Sequence, residues 1–258
     1  MPLSARAIYD EIRSNDETYR LFCSIAAKGE SQGGWENGRI AALTGDRELA
    51  AKIARHGADE DKHGKLFLSL LRRRALEPIA VPAAADYCIR LEQAGIGLAH
   101  TRLRGEQRLG DDEVLKYLVH SRVTEQRAME EVQLQLGIFR GDPEIGKAVA
   151  MIASDEKKHL AYCHEELLRF VERGHGPRVR SLLREYALVE IRTYRDVSLA
   201  VMGRMGEVLG WSGAKRLLLG TGIHAIYWLE RLFRWRRMTT LRRPEIANPL
   251  GVPATSPS

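Results

Sequence analysis

The sequence predicts an all-α protein, a four-helix bundle followed by a helical C-terminal extension. Three observations predict it: a stretch that occurs twice, a Gly-Asp turn signal opening each copy, and long helix-patterned segments flanking each turn. Residues 45–63 read GDRELAAKIARHGADEDKH and residues 141–159 read GDPEIGKAVAMIASDEKKH. At an offset of 96, Gly45/Gly141, Asp46/Asp142, Glu48/Glu144, Asp59/Asp155, Glu60/Glu156, Lys62/Lys158 and His63/His159 coincide. Each copy closes on Asp-Glu-x-Lys-His.

Residues three apart on an α-helix share a face. Glu60 and His63 can therefore reach one metal ion, and so can Glu156 and His159. Asp59 and Asp155 each stand four residues before a His and are expected to accept the outer ring N–H of that same His. A single Glu-x-x-His is ordinarily a pair of surface charges; two equivalent copies, each with its Asp, point to a metal site.

In a four-helix bundle, two Glu-x-x-His helices are completed by one Glu from each partner helix. Residues equidistant from an antiparallel turn sit at one height. With the first turn near Gly45, the level of Glu60 falls on Glu30; with the second near Asp142, the level of Glu156 falls close to Glu125. Glu36 is the rival to Glu30, but it lies roughly 9 Å nearer the turn.

The set Glu30, Glu60-x-x-His63, Glu125 and Glu156-x-x-His159 resembles the ligands of the ferritin-like di-iron superfamily, over roughly residues 15–172. That superfamily includes rubrerythrins, multicomponent monooxygenases, aldehyde-deformylating oxygenases and tRNA hydroxylases. The resemblance implies a ferritin-like four-helix bundle and two iron ions, bridged by Glu60 and Glu156, with Glu30 and Glu125 as terminal ligands. Those six residues would then be the catalytic ones. The implied activity is O2-dependent hydroxylation, N-oxygenation or desaturation of an organic substrate, with electrons from an external donor. Iron storage, peroxide detoxification and tRNA hydroxylation are the alternatives. Carboxylates and imidazoles suit iron or manganese, whereas zinc has no redox chemistry.

Composition fits a globular chain. Hydrophobic residues make up 44% of the 258 and charged residues 29%. The first sixteen residues hold no apolar run of signal-peptide type, and no window reads as a membrane span. Cys23, Cys88 and Cys163 are odd in number and scattered, which suits a reducing cytoplasm. From Arg173 onward 15 Lys/Arg face 6 Asp/Glu, a net of +9; with +6 for the whole chain, residues 1–172 carry −3. The sequence thus divides into a mildly acidic bundle, 1–172, and a basic extension, 173–258.

In chain order, residues 16–43 read as a helix carrying Glu30, with Gly29, Gly33, Gly34 and Gly38 inside it. Close helix packing, space beside the metals, or a bulge at Gly33-Gly34 would each offset their cost. A second helix runs from about Asp46 to Arg74. Residues 85–104 read as one crossover helix, and Asp111 opens a third bundle helix to about Phe139. On it His120 reads as an exposed or outer-shell group, and Glu130 and Glu131 as a solvated face or one further mobile carboxylate. The fourth helix spans roughly 143–172, with Tyr162 as a buried structural tyrosine.

Beyond the GHGP break, 178–209 form a long amphipathic helix. Residues 211–243 then interleave Trp211, Tyr227, Trp228, Phe233 and Trp235 with arginines, before a tail expected to be disordered. Three readings of this end stay open: a cap packing its aromatics on the bundle, a helix at the inner membrane face serving a lipid substrate, and a nucleic-acid contact.

Overall fold

A computed structural model describes residues 4–143 and 145–241. Glu144 of the repeat, Arg242, Arg243 and the expected disordered tail lie outside the described residues. Among the described residues the chain is helical with no strand.

Four long helices form the core: α2 (Asp16–Leu43), α3 (Arg47–Arg73), α6 (Asp111–Phe139) and α7 (Gly146–Phe170). Before them runs a short α1 (Ala5–Ser14), which the sequence reading missed. It is capped by the Ser4 hydroxyl and anchored by buried Ile8 and Ile12. Local chemistry sets the starts of the others. Asn15 Oδ1 accepts from the backbone N–H groups of Glu17 and Thr18, and Asp46 Oδ1 from those of Glu48 and Leu49. Asp142 does the same for Ile145. The first Gly-Asp signal is thus the N-cap of α3, whereas Asp142 of the second holds the turn ahead of α7, which begins at Gly146.

The α2–α3 hairpin is unusually close. A Cβ on Gly57 would lie 3.0 Å from the Gly34 carbonyl oxygen, and one on Gly64 would lie 3.2 Å from that of Ala27. Backbone packing accounts for Gly34, and α2 runs through it as a continuous α-helix, so the bulge expected at Gly33-Gly34 is absent.

Two apolar layers bracket the middle of the bundle. One holds Tyr19, Phe67, Leu70, Val132 and Val149; the other holds Ile40, Ile53, Leu118, Val123 and Leu167. Along the chain α2 and α7 run from the first layer to the second, and α3 and α6 run back. The two helices of like direction in sequence order, α3 and α6, require a long return path between them. That path was expected as one helix over 85–104. The structure breaks it into α4 (Tyr87–Gln93) and α5 (His100–Leu103), because Gly95 and Gly97 take φ of 80° and 83°. An α-helix cannot pass through such backbone.

α8 (Gly176–Val208) follows a turn in which Gly174 has φ 93°. Its Val179, Leu182, Leu183 and Ile191 belong to the same apolar cluster as Leu118 and Leu167. The composition break near residue 173 therefore marks a bend of the chain over a continuous core. α9 (Gly213–Leu229) lies along α8, and α10 (Arg236–Thr239) ends the described chain. At this end the cap reading holds for only part of the aromatics. Trp211 and Tyr227 are buried, but Trp228 and Phe233 are 52% and 67% exposed.

α6 is tied to this C-terminal region through charge. Arg127, 5% exposed, meets Glu190 of α8 at 2.8 and 3.0 Å and Glu230, just past α9, at 3.0 and 2.8 Å. Glu230 also accepts from Arg237, as does Glu130. Glu131 accepts from the Tyr194 hydroxyl. Neither Glu130 nor Glu131 is a free solvated carboxylate.

Candidate metal centre

Between the apolar layers lies a polar one, supplied by all four core helices. Glu30 comes from α2, His56, Glu60 and His63 from α3, Glu125 from α6, and Glu156 and His159 from α7. Glu30, Glu60 and His63 bring one ligand atom each within 4.8 Å of one another, and so do His56, Glu60, Glu125 and His159. Glu60 is common to both groups. Glu156 lies between them, 3.8 Å from His63 Nδ1 and 3.7 Å from His159 Nδ1. The structure thus brings together all six residues named from the sequence. It leaves Glu36 outside, bonded to His100 Nε2 at 2.7 Å.

Both ligand-type histidines aim Nδ1 inward. His63 Nδ1 is 3.3 Å from Glu30, and His159 Nδ1 is 3.5 Å from Glu60 and 3.6 Å from Glu125. Their outer nitrogens reach across the bundle. His63 Nε2 meets Asp155 at 3.3 Å and His159 Nε2 meets Asp59 at 3.5 Å. This corrects the expected pairing of each Asp with the His on its own helix. With Nδ1 turned inward, Nε2 projects past its own helix to the facing one, where the other copy's Asp stands. Lys62 bridges the two aspartates at 2.7 and 2.6 Å. Despite partial burial, hydrogen bonds from Lys158, Lys62 and His63 hold Asp155 far below the usual carboxylate range. Asp59 is lowered likewise, by Lys62 first among its partners. Asp155 accepts from His63 Nε2 and fixes that ring, while Asp59 stands 3.5 Å from His159 Nε2, facing it without a formed hydrogen bond.

His56 was missed. It lies four residues before Glu60 on the same face, a spacing that could have revealed it. Its equivalent in the second copy is Ile152, so a search for repeated residues passes over it. His56 is 2% exposed and stacks on His159 with ring centroids 3.9 Å apart. A hydrogen-bond chain sets its tautomer. The Tyr117 hydroxyl donates to Asn37 Oδ1 at 2.8 Å, the Tyr117 and Tyr162 oxygens are 2.6 Å apart, and the Tyr162 oxygen lies 2.8 Å from His56 Nδ1. With the Tyr117 proton committed to Asn37, Tyr162 donates to Tyr117 and accepts from His56 Nδ1–H. His56 Nε2 then turns a lone pair toward Glu60 and Glu125, at 3.2 and 3.1 Å. Tyr162 is therefore part of the centre's surroundings and more than a structural tyrosine.

The donor set fits bound cations on two grounds. Glu125 Oε2, Glu156 Oε2, His63 Nδ1 and His159 Nδ1 are buried with no hydrogen-bond partner, a costly state that a metal would relieve. The carboxylates also crowd one another. Burial, then the charges of Glu60 and Glu156, push Glu30 well above its ordinary pKa, and burial with the Glu125 charge does the same to Glu156. His159, although burial opposes it, is raised to about 11 by the neighbouring Glu125 and Glu156 carboxylates. His56 is raised against burial by the charge of Glu125. Protons on these groups are where cations belong.

A cavity of about 380 Å³ opens beside the centre, touching Glu30, Glu60, Glu125 and Glu156. Ile25, Val81, Leu91, Ile96, Leu98 and Val197 contribute apolar wall, mostly from the crossover path and α8. His100 sits at its edge between Glu36 and Glu92, at 2.7 and 3.1 Å. His120 also lines it, with Nδ1 against Gly97 and a buried Nε2 that has no hydrogen-bond partner. Gly33 leaves the Glu60 carboxylate room, since a Cβ there would stand 3.0 Å from its Oε2.

A scan against models of known protein families finds no match to this chain, and searches of characterised proteins and of solved structures find none either.

Proposed function

We propose that this protein is a ferritin-like di-iron carboxylate oxidoreductase that uses O2 to oxidise an organic substrate held in the 380 Å³ cavity. The observation that carries the reading is the convergence of four Glu and three His on one buried layer, with inward-facing atoms lacking partners. Glu30, Glu60 and His63 would hold one iron and Glu125, His159 and His56 the other, with Glu60 and Glu156 lying between the two groups. Manganese suits the same donors.

When bound, the metal pair supplies the redox chemistry with O2, with electrons from an external donor. The chain supplies the rest. Asp155 holds the His63 ring, Asp59 faces the His159 ring, and Tyr162 holds His56. The apolar cavity wall keeps bulk water from the centre and positions the substrate against Glu30 and Glu60. A cavity of this size next to the carboxylates favours an organic substrate over an iron-storage role.

Anaerobic loading with ferrous iron, followed by O2, tests the reading. Iron should saturate near two per chain, and the Mössbauer spectrum after O2 should show a coupled ferric pair. Ferric accumulation far beyond two per chain would replace the reading with storage. No binding at the layer would remove it.

A further inference from the structure

The outward face of α9 has no counterpart in the rest of the molecule. Residues 217–229 carry no Lys, Arg, Asp or Glu. One side of the helix, through Leu219, Ile223 and Tyr227, closes a groove of about 240 Å³ against Ile191, Tyr194 and Met202 of α8. The other side covers nothing. Leu217 is 73% exposed, Leu218 54%, Trp228 52%, Leu229 46% and Leu232 57%. Their spacing, with Thr221 and Ala225 between, follows a helical stripe about four turns long. An apolar stripe of this length on one helix marks an interaction surface.

The charges around the stripe say what covers it. Arg216 stands at one end, next to Lys215, which is paired with Glu11, and Arg231, Arg234 and Arg236 stand at the other. The single acid between residues 209 and 241 is Glu230, which is buried and neutralised by Arg127 and Arg237. Arg216, Arg231, Arg234 and Arg236 have no carboxylate partner among the described residues. A second copy laid on this face, parallel or antiparallel, would set arginines against arginines. An anionic lipid surface instead offers hydrocarbon to the stripe and phosphate to both cationic ends. Trp228 suits the boundary between them. No helix among the described residues is long and apolar enough to cross a membrane, so the fit is to lying on the bilayer rather than through it.

We propose that α9 docks flat on an anionic lipid surface, with Leu217, Leu218, Trp228 and Leu232 in the acyl boundary and the flanking arginines on headgroup phosphates. The docking is independent of what the carboxylate layer does.

Full-length protein is sedimented with vesicles of equal parts phosphatidylcholine and phosphatidylglycerol, and with phosphatidylcholine alone. Binding should be at least about tenfold stronger to the anionic vesicles and should weaken with added salt. The variant Leu218→Glu/Trp228→Glu, at exposed positions, should keep the wild-type circular dichroism and iron content and lose the binding. Three results would overturn the proposal. Wild type stays in the supernatant with both vesicles. The variant sediments like wild type. Or wild type is a dimer that the variant converts to monomer, which would make this face an interface between copies. A tRNA probe shifted at low salt by protein that ignores the vesicles would assign the arginines to nucleic acid instead.

Discussion

The two halves of the metal layer share a pattern and differ in their surroundings. Residues offset by 96 make reciprocal contacts: Asp59 meets His159, and Asp155 meets His63. That exchange is the signature of an approximate two-fold axis between α3 and α7. Departures from it fall on one side. Both halves touch the cavity, through Glu30 on one side and through Glu125 and His56 on the other, and the Glu30 side chain is the more exposed, at 20% against 9% for Glu125. The half built on Glu125 and His159 alone has a further histidine, His56, and a tyrosine, Tyr162, behind it. Position 56 is His where 152 is Ile, and position 162 is Tyr where 66 is Leu. The repeat supplies two similar sets of side chains, and single substitutions at positions 56 and 162 give them different surroundings.

Removing one histidine from each half is the strongest way to break the comparison. His63→Ala should empty the site beside Glu30 and His159→Ala the one beside Glu125, each lowering bound iron from about two per chain toward one, and the double variant should bind none, by elemental analysis. The crossed aspartates come next. Asp59→Ala should weaken iron at the His159 site and Asp155→Ala at the His63 site, each by roughly 10–100-fold. The test is metal titration in backgrounds where the other half is already emptied; effects in the uncrossed order would return each Asp to its own helix. His56→Ile makes the first copy match the second. It should leave the helical content intact, lower affinity at the His159 site by about tenfold, and shift its Mössbauer quadrupole splitting; unchanged spectra would remove His56 from the ligands.

The smallest effect expected is at the glycines. Gly33→Ala pushes a methyl against Glu60 Oε2 and should reduce iron affinity a few-fold, whereas Gly38→Ala, with nothing within 4 Å of the added atom, should stabilise the protein by about 0.5–1 kcal/mol. Thermal melts and iron titrations of the pair separate room for a carboxylate from mere helix propensity.

The long core helices were legible because local signals agree with the tertiary arrangement. The helix-patterned segments on either side of the two Gly-Asp turns predict one helix over 16–43 and another from Asp111 to about Phe139, which are α2 and α6 as observed. The heights of Glu30 and Glu125 followed from the hairpin turns alone. What was not legible depends on neighbours distant in sequence. Helical spacing puts Asp59 and His63 on one face, but the direction of the outer nitrogen is decided by the helix opposite. Gly95 and Gly97 are compatible with a helix until packing over His120 requires positive φ. His56 has a legible spacing, hidden by looking for what the two copies share.

Arg127 carries a consequence for how the molecule must be handled. It sits two residues beyond Glu125, and its guanidinium is divided between a carboxylate on α8 and one just past α9. Shortening the chain ahead of Glu230 would leave a charge half unpaired in the interior, a defect of roughly 3–5 kcal/mol, one helical half-turn from the centre. The basic end therefore cannot be cut away as an appendage. It is a wedge that locks the ligand-bearing helix in place, and a force applied to α9 reaches Glu125 through a single rigid, planar group.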